Sequence, residues 1–183
     1  LELFSKDETR NIRYISWRKG PAKTDTARVK EEALEIITDL NTGSDFAKLA
    51  NQLTEDPGNQ ATPDSGRGGN LGWFGKGQMV PQFEEAAFAA NAGEIIGPVL
   101  SRFGYHIIKV HDKRQKNGKD ELNASHILLK INMGSQTRES LRRQATRFSC
   151  DAEDYGFEAA LDTHKVEAQK AIHLESLSVS VPG

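Results

Sequence analysis

The chain has 183 residues, of which 37% are hydrophobic and 27% charged, and a formal net charge of −2. This is the composition of a polar but foldable protein, with no global pull toward nucleic acid or an anionic membrane, and its apolar runs fall short of the roughly 18 to 20 residues that span a bilayer. The single cysteine, Cys150, excludes an internal disulfide and a cysteine-based zinc site.

In chain order, IRYISW at residues 12–17 has the alternation and the β-branched and aromatic content of a strand. After Gly20-Pro21, Thr24 or Asp25 is expected to cap a helix carrying Val29, Ala33, Ile36, Ile37 and Leu40 on one stripe, stopped at Gly43. Ser44 is expected to cap a second helix that buries Phe46, Leu49, Ala50 and Leu53. DPGNQATPDSGRGGN, residues 56–70, reads as a long loop, and long ordered loops are often functional. Pro81 opens a helix with Phe83, Ala86, Ala87 and Ala90 on one stripe. Gly97-Pro98-Val99 leads into a turn, and GYHIIKV is a strand with Tyr105, Ile107 and Lys109 on one face and His106, Ile108 and Val110 on the other.

The expected organisation is an extension at residues 1–9, an α/β domain at 10–113, a charged linker at 114–123 and a smaller accessory segment at 124–183. That segment opens with the strand ASHILLKI, continues into helices around Leu141, Ala145 and Phe148 and then Phe157 and Leu161, and ends with a strand over residues 166–172.

RGGNLGWFGKGQM, residues 67–79, holds five glycines, a Trp and a Phe. A phosphate cradle is disfavoured, because Lys76 is followed by Gly77 and Gln78 rather than Ser or Thr, and the glycine spacing misses G-x-G-x-x-G. A serine hydrolase built on Ser101, His106 and Asp56 would need a sharp nucleophile elbow, and no G-x-S-x-G is present. His106 and His111 fall on opposite faces of one strand, which disfavours a metal pair.

Three separated motifs, DFAKLANQLTEDPG, GGNLGWFGKGQMVPQFEEAAF and GPVLSRFGYHIIKV, together resemble the parvulin (PpiC-type, rotamase) family of peptidyl-prolyl cis/trans isomerases over about residues 10–113. The resemblance implies a small antiparallel sheet with packed helices, and catalysis without cofactor or metal. It also implies a proline pocket of Leu71, Met79 and Phe83, with Phe74 and Phe103 contributing to substrate binding. Asp56, His106 and Ser101 would form the polar network beside the imide. Rotation about an amide C–N bond faces a barrier of roughly 18 to 20 kcal/mol because resonance is lost, and a pocket that grips the ring and withdraws the imide from water favours the less charge-separated twisted form.

One departure stands out. Parvulins usually open with a strand containing His-Ile-Leu, whereas here the matching segment has Arg13, and a guanidinium cannot offer the acceptor nitrogen of a neutral imidazole. The missing pattern stands instead in ASHILLK, where His126 is read as the remnant of a decayed internal repeat rather than as a neighbour of the pocket. Two functions follow from this reading. One is an active isomerase on unfolded or extended polypeptide containing X-Pro bonds; the other is a parvulin-fold chaperone module that binds such segments without accelerating rotation. A phosphate-directed isomerase would need a basic cluster, for which Arg18 and Lys19 supply only two charges. Trp73, if exposed beside the pocket, would help to hold apolar client segments.

The wider pattern is similar to bacterial extracytoplasmic foldases of the PpiD and SurA kind. That likeness implies a periplasmic or cell-envelope address, with any membrane anchor outside this sequence, and the first residue, Leu1, is consistent with an excised piece.

Overall fold

The computed structural model describes residues 10–62 and 65–174. In chain order these form β1 (Arg10–Tyr14), α1 (Lys23–Asn41), α2 (Phe46–Leu53), a 3₁₀ turn (Pro57–Asn59), β2 (Gln60–Thr62), β3 (Ser65–Gly66), β4 (Asn70–Gly75) and α3 (Pro81–Ala89). Then follow β5 (Ile95–Ser101), β6 (Gly104–Lys116), β7 (Lys119–Leu129), α4 (Ser135–Tyr155), α5 (Phe157–His164) and β8 (Gln169–Leu174). The chain divides into two compact units, Gly20–Gly134 and, joined from both ends, Leu1–Lys19 with Ser135–Gly183. It is a mixed α/β protein, and among the described residues no helix is long and apolar enough to cross a membrane.

The larger unit is built on a four-stranded antiparallel sheet in the order β4-β7-β6-β5. Alternation along β6 and β7 sends side chains to two cores. On one face Tyr105, Ile107, Ile127 and Leu129 pack against Val29, Ala33, Ile36 and Leu40 of α1 and Phe46 and Ala50 of α2. On the other, Ile108, Val110, Leu122 and Ala124 pack with Phe74 against Phe83 and Ala87 of α3. The face assignment read from GYHIIKV holds. Leu53, expected inside, is exposed.

Local chemistry sets the element ends, with small shifts from expectation. Asp25 lies inside the first turn of α1 rather than at its cap, and its carboxylate accepts the N–H groups of Ala22 and Gly134. Asp45, not Ser44, caps α2 by accepting the Lys48 N–H at 2.7 Å. The Gly97-Pro98-Val99 stretch is part of β5, with a register shift between Ile96 and Val99. Within the loop at residues 56–70, β2 and β3 pair antiparallel.

The main correction concerns the sheet's membership. Residues 114–123 are not a linker: β6 and β7 run through them and meet at Asn117-Gly118, with φ of +53° and +74° and Lys116 opposite Lys119. Two successive positive φ values are those of a type I′ hairpin turn, for which Asn-Gly is the favoured pair. β7 then runs through the middle of the sheet, between β4 and β6, so that ASHILL completes the sheet that residues 10–113 leave open. This position demands apolar or self-satisfied side chains on both faces, and Leu122, Ala124, Ile127, Leu128 and Leu129 meet it.

β1, expected to open that sheet, instead pairs antiparallel with β8 in the smaller unit. There Arg13 makes an ion pair with Glu158 and lies over the Phe157 ring at 5.4 Å. That unit has its own apolar cluster of Phe148, Ala160 and Leu161, with Trp17 edge-on to Phe148.

Candidate active site

The groove of interest opens on the α3 face of the sheet. Its apolar walls are Leu71 from β4, Met79 and Val80 from the loop before α3, Phe83 from the first turn of α3, and Leu128 from β7. Its polar side carries Asp56, His106 and His126, and Arg102, Phe103 and Lys130 stand at the rim. Of the residues named from sequence, Asp56, Leu71, Met79, Phe83, Phe103 and His106 line it. Ser101 does not line it but bonds to His106 from behind. Phe74 is buried beneath it, tilted against Phe83 with centroids 6.2 Å apart, so it supports the floor rather than touching an occupant. Trp73 points away from Phe74, toward the opposite face of the sheet, where the Arg114 guanidinium lies 3.9 Å above its ring.

The polar side is one continuous chain of hydrogen bonds. The Phe103 N–H donates to Ser101 Oγ at 3.1 Å, and Ser101 Oγ lies 2.7 Å from His106 Nε2. His106 Nδ1 is 3.3 Å from His126 Nδ1, and His126 Nε2 is 2.8 Å from Asp56 Oδ2. Asp56 Oδ1 in turn accepts the Gly58 N–H at 3.1 Å. With both imidazoles neutral, the roles are fixed by the acceptor-only carboxylate. His126 donates from Nε2 and accepts at Nδ1, His106 donates from Nδ1 and accepts at Nε2, and the Ser101 hydroxyl donates. Protonating His126 reverses every bond from His106 to Ser101.

The electrostatics agree with this order. Burial pushes the His106 pKa down, the charge of His126 pushes the same way, and Asp56 only partly opposes them, leaving it at about 4. For Asp56 burial works upward, but the hydrogen bond from His126, the Gly58 N–H and the charges of His126 and Lys130 outweigh it and hold the carboxyl below its ordinary range. Phe83 presents itself edge-on to both imidazoles, at 5.3 Å from His106 and 5.7 Å from His126. The two imidazoles stack with an interplanar angle of 19°.

Two local devices bring Asp56 and His126 together. Beyond Ser125, where β4 stops pairing, the free edge of β7 is taken by the chain after α2: the Glu55 N–H donates to the Leu128 carbonyl at 2.8 Å, and the Leu128 N–H donates to Thr54 Oγ1 at 3.0 Å. Gly69, just before β4, holds the same edge at His126, its carbonyl accepting the His126 N–H at 2.9 Å. At φ +74°, a Cβ on Gly69 would stand 2.2 Å from the His126 carbonyl oxygen, so only glycine fits.

The question of a phosphate cradle is also answered by hydrogen bonds. The N–H groups of Gly68, Gly69, Gly72, Gly75 and Gly77 donate to side-chain oxygens of Asn51, Asn59, Asn70, Gln78 and Glu84 respectively. The glycines form turns and close approaches, and their donors are spent inside the fold.

His126 is the residue that sequence reasoning set aside. The decayed-repeat reading is corrected: the imidazole that Arg13 cannot supply is supplied from β7, 20 residues after His106. Leu128 and Lys130 on the same strand, and Arg102 in the β5–β6 turn, were also missed.

Comparison with known proteins agrees with the motif reading. Residues 7–114 match the family model described as the PPIC-type PPIASE domain, a match that ends before β7 and His126. A protein named foldase protein PrsA, from Geobacillus sp. (strain WCH70), is 50% identical over 96 residues, covering 51% of this chain and 33% of that one. Another of that name, from Halalkalibacterium halodurans, is 38% identical over 133 residues, covering 73% of this chain and 38% of that one. The chain thus spans about a third of the length of the curated relatives it matches. A crystal structure of the peptidylprolyl isomerase PrsA from Bacillus anthracis is 25% identical, covering 75% of this chain and 56% of that chain, with a TM-score of 0.37.

Proposed function

The chain belongs to the PPIC-type PPIASE domain family, and from that premise we propose that its groove binds the proline of an X-Pro segment and accelerates rotation about the preceding imide bond. The observation that carries this reading is the convergence, on one groove, of an apolar wall of Leu71, Met79 and Phe83 with the hydrogen-bonded chain Asp56–His126–His106–Ser101.

The chemistry follows from what each side offers. The proline ring packs on the apolar wall, and the imide leaves water as it enters. The planar imide, being more charge-separated than the twisted one, loses more solvation on entry, so the barrier between them falls. His106 stays neutral beside it, because its burial opposes protonation. Asp56 keeps its charge at the far end of the chain, where it orients His126. No covalent intermediate is needed.

The alternative of a binding module without catalysis rested on Arg13 standing where an imidazole is wanted, and the presence of His126 in the groove removes that support. By resemblance to the foldases named above, the polypeptide substrates would be unfolded or extended segments containing proline, met outside the cytoplasm at the cell envelope.

The test is exchange NMR on a short Leu-Pro peptide, with and without catalytic amounts of the protein, and with Met79→Ala. Acceleration by the protein that falls at least tenfold in Met79→Ala is expected. Peptide shifts that report binding, with the exchange rate unchanged, would overturn catalysis in favour of the chaperone module.

A further inference from the structure

The groove's rim carries two cations that the proline-binding chemistry does not use. Arg102 occupies the two-residue turn Arg102-Phe103 between β5 and β6, where Ser101 pairs with Gly104. That turn is held tightly, since Ser101 Oγ accepts the Phe103 N–H and the Arg102 guanidinium lies over the Phe103 ring at 4.8 Å. Lys130 follows β7 and stands at the same end of the sheet. A Cβ on Gly104 would be only 3.0 Å from the Lys130 Cα, so the turn and Lys130 are packed against each other. Both cations line the groove, and among the described residues neither makes an ion pair.

The acids nearby are engaged elsewhere. Asp56 spends its carboxylate on His126 and the Gly58 N–H. Glu55 accepts the Lys130 backbone N–H and the Asn132 side-chain amide. Lys130 lines the groove together with Asp56, His126 and Leu128, which sets it on the polar side of the groove.

We propose that Arg102 and Lys130 select a carboxylate side chain on the residue immediately before the proline. This inference rests on the isomerase reading for the position of the proline ring on Leu71, Met79 and Phe83. With the ring seated there, the residue sharing the rotating bond lies toward the polar side, where the two cations stand. Both are solvent-exposed, so each is worth a small factor that salt weakens.

The experiment compares peptides Ala-Xaa-Pro-Phe with Xaa as Glu, Gln or Lys, and Ala-Ala-Pro-Glu as a control for an acid after the proline. Exchange rate and peptide affinity, the latter from chemical-shift titration, are read at low and high salt for the protein and for the double variant Arg102→Gln, Lys130→Gln. The expected order is Glu above Gln above Lys, with about a fivefold span between Glu and Lys at low salt that collapses in high salt and in the double variant. Equal affinities for the three peptides, a preference for Glu that survives in the double variant, or a preference confined to the acid after proline would each overturn the proposal. Should no peptide be accelerated, the isomerase reading fails by itself, and the order of affinities still decides the selectivity.

Discussion

His126 Nε2 lies 2.8 Å from Asp56 Oδ2 across 70 residues of sequence, and this contact joins the last strand of the sheet to the loop that follows α2. A carboxylate left without that partner would be a half-buried charge whose remaining hydrogen bond comes from the Gly58 N–H. His126→Ala is therefore expected to cost about 1 to 3 kcal/mol in unfolding free energy and to lower the isomerisation rate at least tenfold. Arg13→Ala, by contrast, removes an exposed ion pair with Glu158 and should leave the rate unchanged. Exchange NMR on a Leu-Pro peptide separates the two. Loss of rate in Arg13→Ala with none in His126→Ala would reverse the assignment of the second imidazole.

The same chain of bonds makes stability depend on pH with a definite sign. His106 titrates near 6.5 when unfolded and at about 4 when folded, where burial comes first and the charge of His126 second among the causes. Between those values the unfolded form binds more protons. The stabilisation is therefore fully present above pH 6.5 and is lost as pH falls through about 4. Asp56, also lowered on folding, adds a loss of the same sign at more acidic pH. Urea titrations from pH 7 to 4 should show a decline approaching about 3 kcal/mol, flattened in His106→Gln. A stability that held constant across that range would contradict the neutral His106 on which the tautomer order depends.

Gly69 offers a test of the backbone that carries His126. Gly69→Ala combines strain at φ +74° with a Cβ placed 2.2 Å from the His126 carbonyl oxygen, so a loss of about 3 kcal/mol or more is expected, together with a fall in isomerisation rate. Gly77→Ala is the control: its φ is +86°, yet nothing lies within 4 Å of the added Cβ, and about 1 kcal/mol is the expected cost. Equal losses in the two variants, read from denaturant midpoints, would mean that the close approach to β7 is not what demands glycine at position 69.

Most of the groove's lining was named through the motif resemblance, which carried over Asp56, Leu71, Met79, Phe83 and His106 from matched segments. Leu71, Met79 and Phe83 are spaced by the glycine loop and the Pro81 helix start, and His106 stands in a strand whose two faces alternate plainly. His126 was not legible as a site residue, since the distance between ASHILLK and the pocket is set by strand pairing rather than by sequence spacing. Yet a signal for that pairing was present. Asn117-Gly118 is the favoured two-residue hairpin pair, and it lay inside a stretch whose charges, here on the exposed ends of β6 and β7, read as a linker. Once that turn is taken as a hairpin, the antiparallel register sets His126 opposite Ile108, two residues along β6 from His106 and on the same face. IRYIS misled for the complementary reason: a strand pattern declares its conformation but not its partner.

Domain limits drawn from the hairpin lead to a last prediction. A fragment spanning residues 20–134 contains both cores of the larger unit, all four strands of its sheet and every member of the hydrogen-bonded chain. A fragment spanning residues 10–113, the limits of the motif match, lacks β7. It would therefore expose the partners of Leu122, Ala124 and Ile127, each fully buried in the intact sheet, and leave Asp56 and His106 without the imidazole between them. Losing the buried side chains of an internal strand, at roughly 1.5 to 3 kcal/mol for each large one, exceeds what a domain of ordinary marginal stability can bear. The 20–134 fragment should give dispersed amide resonances, a single cooperative urea transition and the isomerisation rate of the full chain, whereas the 10–113 fragment should give none of these. A folded and active 10–113 fragment would mean that β1 can close the sheet in place of β7, and that the imidazole of His126 is dispensable for the reaction.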